Sequence, residues 1–248
     1  MKPGEVLVDW TPKVRQVPAV TTENTCRDCL GPTGPGYDTC YVCEFMWNVY
    51  PDYHGACDLI VPATVAVQPS DWYAAVRQYK SGAVNFRSLG PALAVVLREW
   101  LRNHTAEIIA ALGGLPDLAI VVPSRHTTPP TPLYRVASWA IQGIPALASI
   151  ETPEDAVRFA GPTAPAKHKR LYADALEADP AVDGQRVLLV EDTWVSGSTA
   201  LSTAIALRRA GAAGIALVSI ARMTYDDGMT PPYDRAATAP IDYTHWPR

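Results

Sequence analysis

One stretch constrains this chain more than any other: Val187-Leu188-Leu189-Val190-Glu191-Asp192-Thr193-Trp194-Val195-Ser196-Gly197-Ser198-Thr199. Its four leading apolar residues read as a strand buried on both faces of a parallel sheet. Two carboxylates follow at the strand's end, then a loop of Ser196, Gly197, Ser198 and Thr199. A helical run from Ala200 to Ala210 comes next, with Gly211 as its stop. Loop N–H groups, hydroxyl donors and the positive end of a helix then converge on one place, which suits an anion. The carboxylates repel an anion, so they are assigned to sugar hydroxyls or to a nearby metal. A Walker loop needs Gly-Lys-Ser/Thr and a dinucleotide site needs three spaced glycines; neither pattern is present in this stretch.

Other segments extend the pattern. Asp117 to Pro123 reads as a second buried strand, ending in Ser124-Arg125-His126. Leu133 to Gln142 reads as a helix, and Ile144 to Ile150 and Gly214 to Ile220 as further strands. This alternation implies an α/β fold, an open, mostly parallel sheet flanked by helices with right-handed crossovers. Arg125, Glu191, Asp192 and the Ser196–Thr199 loop then fall at the carboxyl ends of strands, where such sheets bind ligands. Upstream, Ser70 or Asp71 caps a helix carrying Trp72, Val76 and Tyr79 on one face. A second helix runs from Phe86 to Asn103 with a stripe of Leu89, Leu93, Val96, Leu97, Trp100 and Leu101. Glu5 to Val8 reads as a short strand. Leu59-Ile60-Val61 and Thr64-Val65-Ala66-Val67 read as a small hairpin.

Cys26-x-x-Cys29 and Cys40-x-x-Cys43 lie ten residues apart, a spacing that fits a tetrahedral four-thiolate zinc site. Gly31, Pro32, Gly34, Pro35 and Gly36 let the chain double back between them. So small a segment has little core of its own, and a metal supplies folding energy in such cases. Two disulfides or four unrelated thiols are the alternatives, the former disfavoured in a reducing compartment. A closed four-cysteine site has no open position, so no metal catalysis is expected there. His54 and Cys57 lie close to the cluster; either is an alternative ligand, but they read rather as a surface imidazole and a buried thiol.

With 48% apolar and 19% charged residues the chain is globular, and 248 residues suffice for one core and an appendage. Its net charge of −4 argues against direct nucleic-acid binding and a polybasic membrane anchor. No secretory signal or spanning apolar run is found, so a cytoplasmic location is expected. The organisation read from the sequence is an irregular leader (1–24), a zinc knuckle with a small β appendage (25–69), a core (70–224) and a tail (225–248).

The motif stretch resembles the binding motif for 5-phosphoribosyl-1-pyrophosphate (PRPP) of the type I phosphoribosyltransferases: apolar strand, Glu/Asp-Asp, three variable residues, Ser/Thr-Gly-x-Thr/Ser. The resemblance implies that Glu191 and Asp192 hold the ribose hydroxyls, with Mg²⁺ accompanying PRPP. It implies that the backbone N–H groups of Val195, Ser196, Gly197, Ser198 and Thr199, with the Ser196, Ser198 and Thr199 hydroxyls, cradle the 5′-phosphate, and that Thr193 and Trp194 belong to the same PRPP-binding stretch. Val-Val-Pro followed by Ser124 and Arg125 is similar to the family's pyrophosphate loop. The basic, Gly/Pro-bearing segment Thr152 to Leu176, with Arg158, Lys167, His168, Lys169 and Arg170, resembles its mobile catalytic flap. Arg125, Lys167 and Lys169, with Glu191 and Asp192, are thereby the implied catalytic residues. Members that salvage 6-oxopurines carry an Asp where Val195 stands, so that chemistry is not implied.

A four-cysteine knuckle before such a core resembles the ComF-type members. Tyr79-Lys80-x-Gly82 before a long helix and Ala221-Arg222 after the last core strand match in order. The chain departs after Pro123, where those relatives carry Arg-Gly-Phe-Asn and only Arg135 stands in here. The resemblance implies transfer of phosphoribosyl from PRPP to a small-molecule nitrogen acceptor. The alternative it implies is a non-catalytic PRPP- or nucleotide-binding accessory or regulatory protein beside a DNA-processing partner. Membrane association is not expected, and a homodimer stays open.

Overall fold

The structure is a computed structural model that describes residues 3–124, 130–160, 171–225, 233 and 239–248. Strands β1 (Leu59–Gln68), β2 (Leu118–Val121), β5 (Arg186–Trp194) and β6 (Gly214–Tyr225) form one parallel sheet in the order β1-β6-β5-β2. Strands β3 (Val157–Phe159) and β4 (Leu176–Ala178) form a separate antiparallel ribbon.

Side chains alternate across the main sheet with the period of two that a strand imposes. Leu188, Val190, Ala216, Val218, Ala119 and Val121 face one core, while Val187, Leu189, Ile215, Leu217 and Ile120 face another. Helices α1 (Pro3–Trp10), α3 (Asp71–Gln78), α4 (Gly82–Leu112) and α5 (Pro132–Gln142) contribute to the first. Helix α6 (Ser198–Arg209), α2 (Tyr41–Val49), the four cysteines and the β3–β4 ribbon contribute to the second. A sheet covered on both faces needs apolar residues at consecutive positions, which is why β5 and β6 read as unbroken runs. Caps set two helix starts: Ser70 Oγ accepts from Tyr73 N at 3.1 Å, and Thr131 Oγ1 from Tyr134 N at 3.1 Å with Pro132 next.

Four expectations change. Residues 5–8 lie in helix α1, not in a strand. The expected hairpin is a single strand: β1 continues through Pro62 and pairs with β6 from Leu59 to Gln68. It lies at the sheet edge, where a proline is tolerated. The expected strand from Ile144 to Ile150 is a chain of turns, with Ile144 N, Leu147 N and Ile150 N each donating to the carbonyl three residues back. Contact with the sheet resumes only at Glu151, bridged to Leu118. Helix α4 runs longer than expected, from Gly82 to Leu112, with Pro91 inside and a break from helical geometry at His104.

The leader and the tail close on each other. Gln16 N donates to Ala239 O, Ile241 N to Val14 O and Val20 N to Pro247 O. Among the described residues, no helix is long and apolar enough to cross a membrane.

Candidate functional site

Strand β5 does not stop at Val190. It continues through Glu191, Asp192 and Thr193 to Trp194, so the acidic pair lies within the strand. The two carboxylates interact with each other, and Asp192 N donates to Glu191 Oε1 at 2.9 Å, but their other partners differ. Asp192 is buried. Its Oδ2 accepts from the Tyr79 hydroxyl at 2.8 Å and from the Lys80 ammonium at 2.8 Å. Its Oδ1 accepts from the Thr193 hydroxyl at 2.9 Å. Three donors on a carboxylate leave about one of its four lone-pair positions open.

These contacts separate the two acids. Burial raises the Asp192 carboxyl, but the Lys80 charge and the bonds from Lys80, Glu191 and Tyr79 outweigh it and hold the pKa below the ordinary value. Glu191 goes the other way. Burial first, and then the Asp192 charge, push it well up. An ionised Asp192 beside a protonated Glu191 is the state these surroundings favour.

After Trp194 the chain turns sharply into α6. Gly197 has φ of +72°, and a Cβ there would lie 2.4 Å from Cζ2 of Trp194, so both backbone and packing demand glycine. The turn brings Ser196 Oγ and Ser198 Oγ within 2.9 Å of each other at the start of α6. Thr199 Oγ1 hydrogen-bonds the Tyr172 hydroxyl. Tyr172 N in turn donates to Ser202 Oγ at 2.9 Å, so the chain after residues 161–170 is anchored on α6. Val195 is half exposed and points away from the core.

Of the sequence-predicted site residues, the structure brings together Glu191, Asp192, Thr193, Trp194, Val195, Ser196, Gly197, Ser198 and Thr199 on one strand–loop–helix unit. Ser124 is exposed just past β2, the neighbour of β5. Arg125, Lys167 and Lys169 lie outside the described residues. Arg158, on β3, pairs with Glu177 at 2.9 Å on the surface. Tyr79 and Lys80 had been noted only as part of a pattern; Tyr172 and Arg222 had no assigned role. All four act through contacts between segments far apart in sequence, for which local spacing carries no signal.

The four cysteines form a second centre. Cys26, Cys29, Cys40 and Cys43 are buried and free, and their sulfurs all lie within 4.8 Å of one another. Cys40 sits immediately before α2 and Cys43 in its first turn. The other pair is held in a tight turn, with Cys26 N bonded to Gly31 O at 2.8 Å and Leu30 N to Cys26 O at 2.9 Å. Sulfurs on a tetrahedron of 2.3 Å metal–sulfur bonds stand about 3.8 Å apart. The Cys29 and Cys40 sulfurs are 3.7 Å apart. The cluster fits a structural metal ion. Thiol–thiol hydrogen bonds split the four, the bond with Cys26 foremost in pulling Cys29 and Cys40 down while Cys26 and Cys43 are pushed up.

Comparison with family models, with curated proteins and with solved structures finds no match to this chain.

Proposed function

We propose that this chain is a PRPP-binding, phosphoribosyltransferase-like protein of ComF type. It transfers phosphoribosyl to a nitrogen acceptor and releases pyrophosphate. The observation that carries the reading is a buried Asp192, paired with Lys80, on the same short unit as the Ser196–Thr199 hydroxyl loop at a helix N-terminus. A sugar phosphate presents both features in one molecule: vicinal hydroxyls for a carboxylate and a 5′-phosphate for N–H and O–H donors.

In the proposed reaction the bond from ribose C1′ to pyrophosphate oxygen breaks and a bond from the acceptor nitrogen to C1′ forms. The acceptor loses a proton, and pyrophosphate leaves with the bonding pair. PRPP enters as its Mg²⁺ complex, in which the ion offsets phosphate charge. Asp192 orients the ribose, and the 195–199 backbone and hydroxyls hold the 5′-phosphate. Lys80, half exposed beside Asp192, supplies a cation at the same place. Arg125, Lys167 and Lys169 are assigned to the departing pyrophosphate on the resemblance alone. The donor set of the cysteine cluster supports zinc as its ion.

A second reading is a PRPP- or nucleotide-binding accessory or regulatory protein without catalysis, working beside a DNA-processing partner. The crowding of Asp192 favours it, since Tyr79, Lys80 and Thr193 leave little room for a sugar hydroxyl. One experiment separates the two. Pyrophosphate release is followed with PRPP, Mg²⁺ and a panel of nucleobases, in the native chain and in Asp192→Asn. Base-dependent release lost in the variant supports the transferase. PRPP binding without release selects the accessory reading, and absence of binding removes both.

A further inference from the structure

The two centres share one side chain. Arg222 lies near the end of β6, between Ala221 and Met223 of the first core, and is 7% exposed. Its Nη1 donates to the carbonyls of Trp194 at 2.9 Å and Val195 at 3.1 Å, the residues that lead into the hydroxyl loop, and to Met223 O at 2.7 Å. The opposite edge of the guanidinium lies against the cysteine turn. A Cβ added to Gly31 would stand 2.5 Å from both Nε and Nη2. Among the described residues, Nε has no hydrogen-bond partner.

A buried guanidinium needs a counter-charge. The hydrogen bonds above all run to neutral carbonyls, so they do not supply one. Burial works against the Arg222 charge, and the cysteine cluster, Cys29 foremost, outweighs it. Four thiolates around a divalent ion carry a net charge of about −2. Arg248 brings a second guanidinium to the same turn, donating to the carbonyls of Arg27, Asp28 and Ile60. One buried guanidinium, Arg222, and one exposed guanidinium, Arg248, thus flank the cysteine turn.

We infer that Arg222 is a positioning residue that makes the geometry of the Trp194–Thr199 loop depend on the metal-loaded state of the cysteine cluster. With the cluster loaded, the arginine is neutralised where it stands, and its rigid fork fixes the Trp194 and Val195 carbonyls. With the cluster stripped, the turn that carries Gly31 is no longer held, the wall behind the guanidinium gives way, and both carbonyls are freed. The loop that presents Ser196, Gly197, Ser198 and Thr199 then loosens. Coupling of this kind is reciprocal, so a ligand seated on the loop slows release of the metal. The inference rests on the reading of the cluster as a metal site, and it does not require that the loop bind PRPP.

The test is hydrogen exchange on the full chain, zinc-loaded and chelator-stripped, with metal content measured on each sample. Amides of residues 195–201 are the readout, and those of α5, on the far core, are the reference. Stripping should speed exchange over 195–201 by about tenfold or more with α5 unchanged. Arg222→Lys keeps the charge and loses the fork, so it should exchange at the stripped rate while retaining stoichiometric zinc. A cobalt-loaded sample of the same variant should show displaced sulfur-to-cobalt absorption bands, because the charge nearest the thiolates has moved. Absence of bound metal overturns the metal reading and the inference together. Stoichiometric metal with an indifferent loop, equal acceleration in α5, or an Arg222→Lys variant protected like the native chain overturns the inference alone.

Discussion

Lys80 Nζ lies 2.8 Å from Asp192 Oδ2, joining segments 112 positions apart. Tyr79 donates to the same oxygen from a fully buried position, whereas the Lys80 side chain is 49% exposed. Exposure decides which contact matters more for stability. An exposed ion pair contributes at most about 1 kcal/mol, and a buried hydrogen bond to a charged group about 1.5–3 kcal/mol. Urea unfolding at neutral pH should therefore show a larger loss for Tyr79→Phe than for Lys80→Met. The depressed pKa of Asp192 contributes stability above the ordinary carboxylate range, and that contribution disappears as pH falls through the folded-state value. In Lys80→Met the acid limb of the stability curve should begin at a higher pH.

Glu191 gives the opposite sign. Its pKa is raised in the fold, so the unfolded chain releases this proton first as pH increases. Stability should fall as pH rises from the ordinary glutamate range toward the folded-state value. Glu191→Gln removes the titrating group. It should raise the melting temperature by roughly a few degrees at pH 7–8 and leave it unchanged near pH 4. Equal shifts at both pH values would count against a raised Glu191.

Gly197→Ala meets two obstacles, a left-handed backbone and the buried Trp194 ring. The first costs about 1–3 kcal/mol by itself. Calorimetry with PRPP and with inorganic pyrophosphate should show affinity for PRPP reduced by at least about tenfold. Adding Trp194→Ala removes the collision but not the backbone strain, so the double variant should recover only part of the stability.

Cys29→Ser and Cys40→Ser each remove one of four buried ligands. Elemental analysis should find less than stoichiometric metal, and melting temperatures should drop by more than about 5 °C. Cys57→Ser, outside the cluster, should retain full metal. Prolonged chelation of the native chain should reproduce the melting behaviour of the two ligand variants.

The motif unit was readable because its signals are local: a four-residue apolar run, a glycine turn, a helix closed by Arg208, Arg209 and Gly211. The cysteine cluster was readable from spacing. Pro62 misled, because a missing amide looks like a strand end when the strand's edge position is unknown. Ile144 to Ile150 misled because apolar content alone does not separate a strand from buried turns. Residues 221–225 were missed from β6 because Arg222 looks like a surface charge. Its burial becomes intelligible through the carbonyls of Trp194 and Val195, 28 and 27 positions away, and through the cysteine turn, none of which local sequence shows.

The closure of leader on tail has a consequence for solubility. Arg15 bridges Val65 of β1 on one side and Pro240 on the other, and Val65 N donates to Arg15 O at 3.1 Å. Glu151 bridges Leu118 at the opposite margin. Each outer strand of the sheet thus has backbone groups occupied by its own chain. An open strand is a template for pairing with another molecule. Arg15 covers β1 and is itself held by Pro240, so chains cut short of Pro240 should loosen that cover and self-associate through β1.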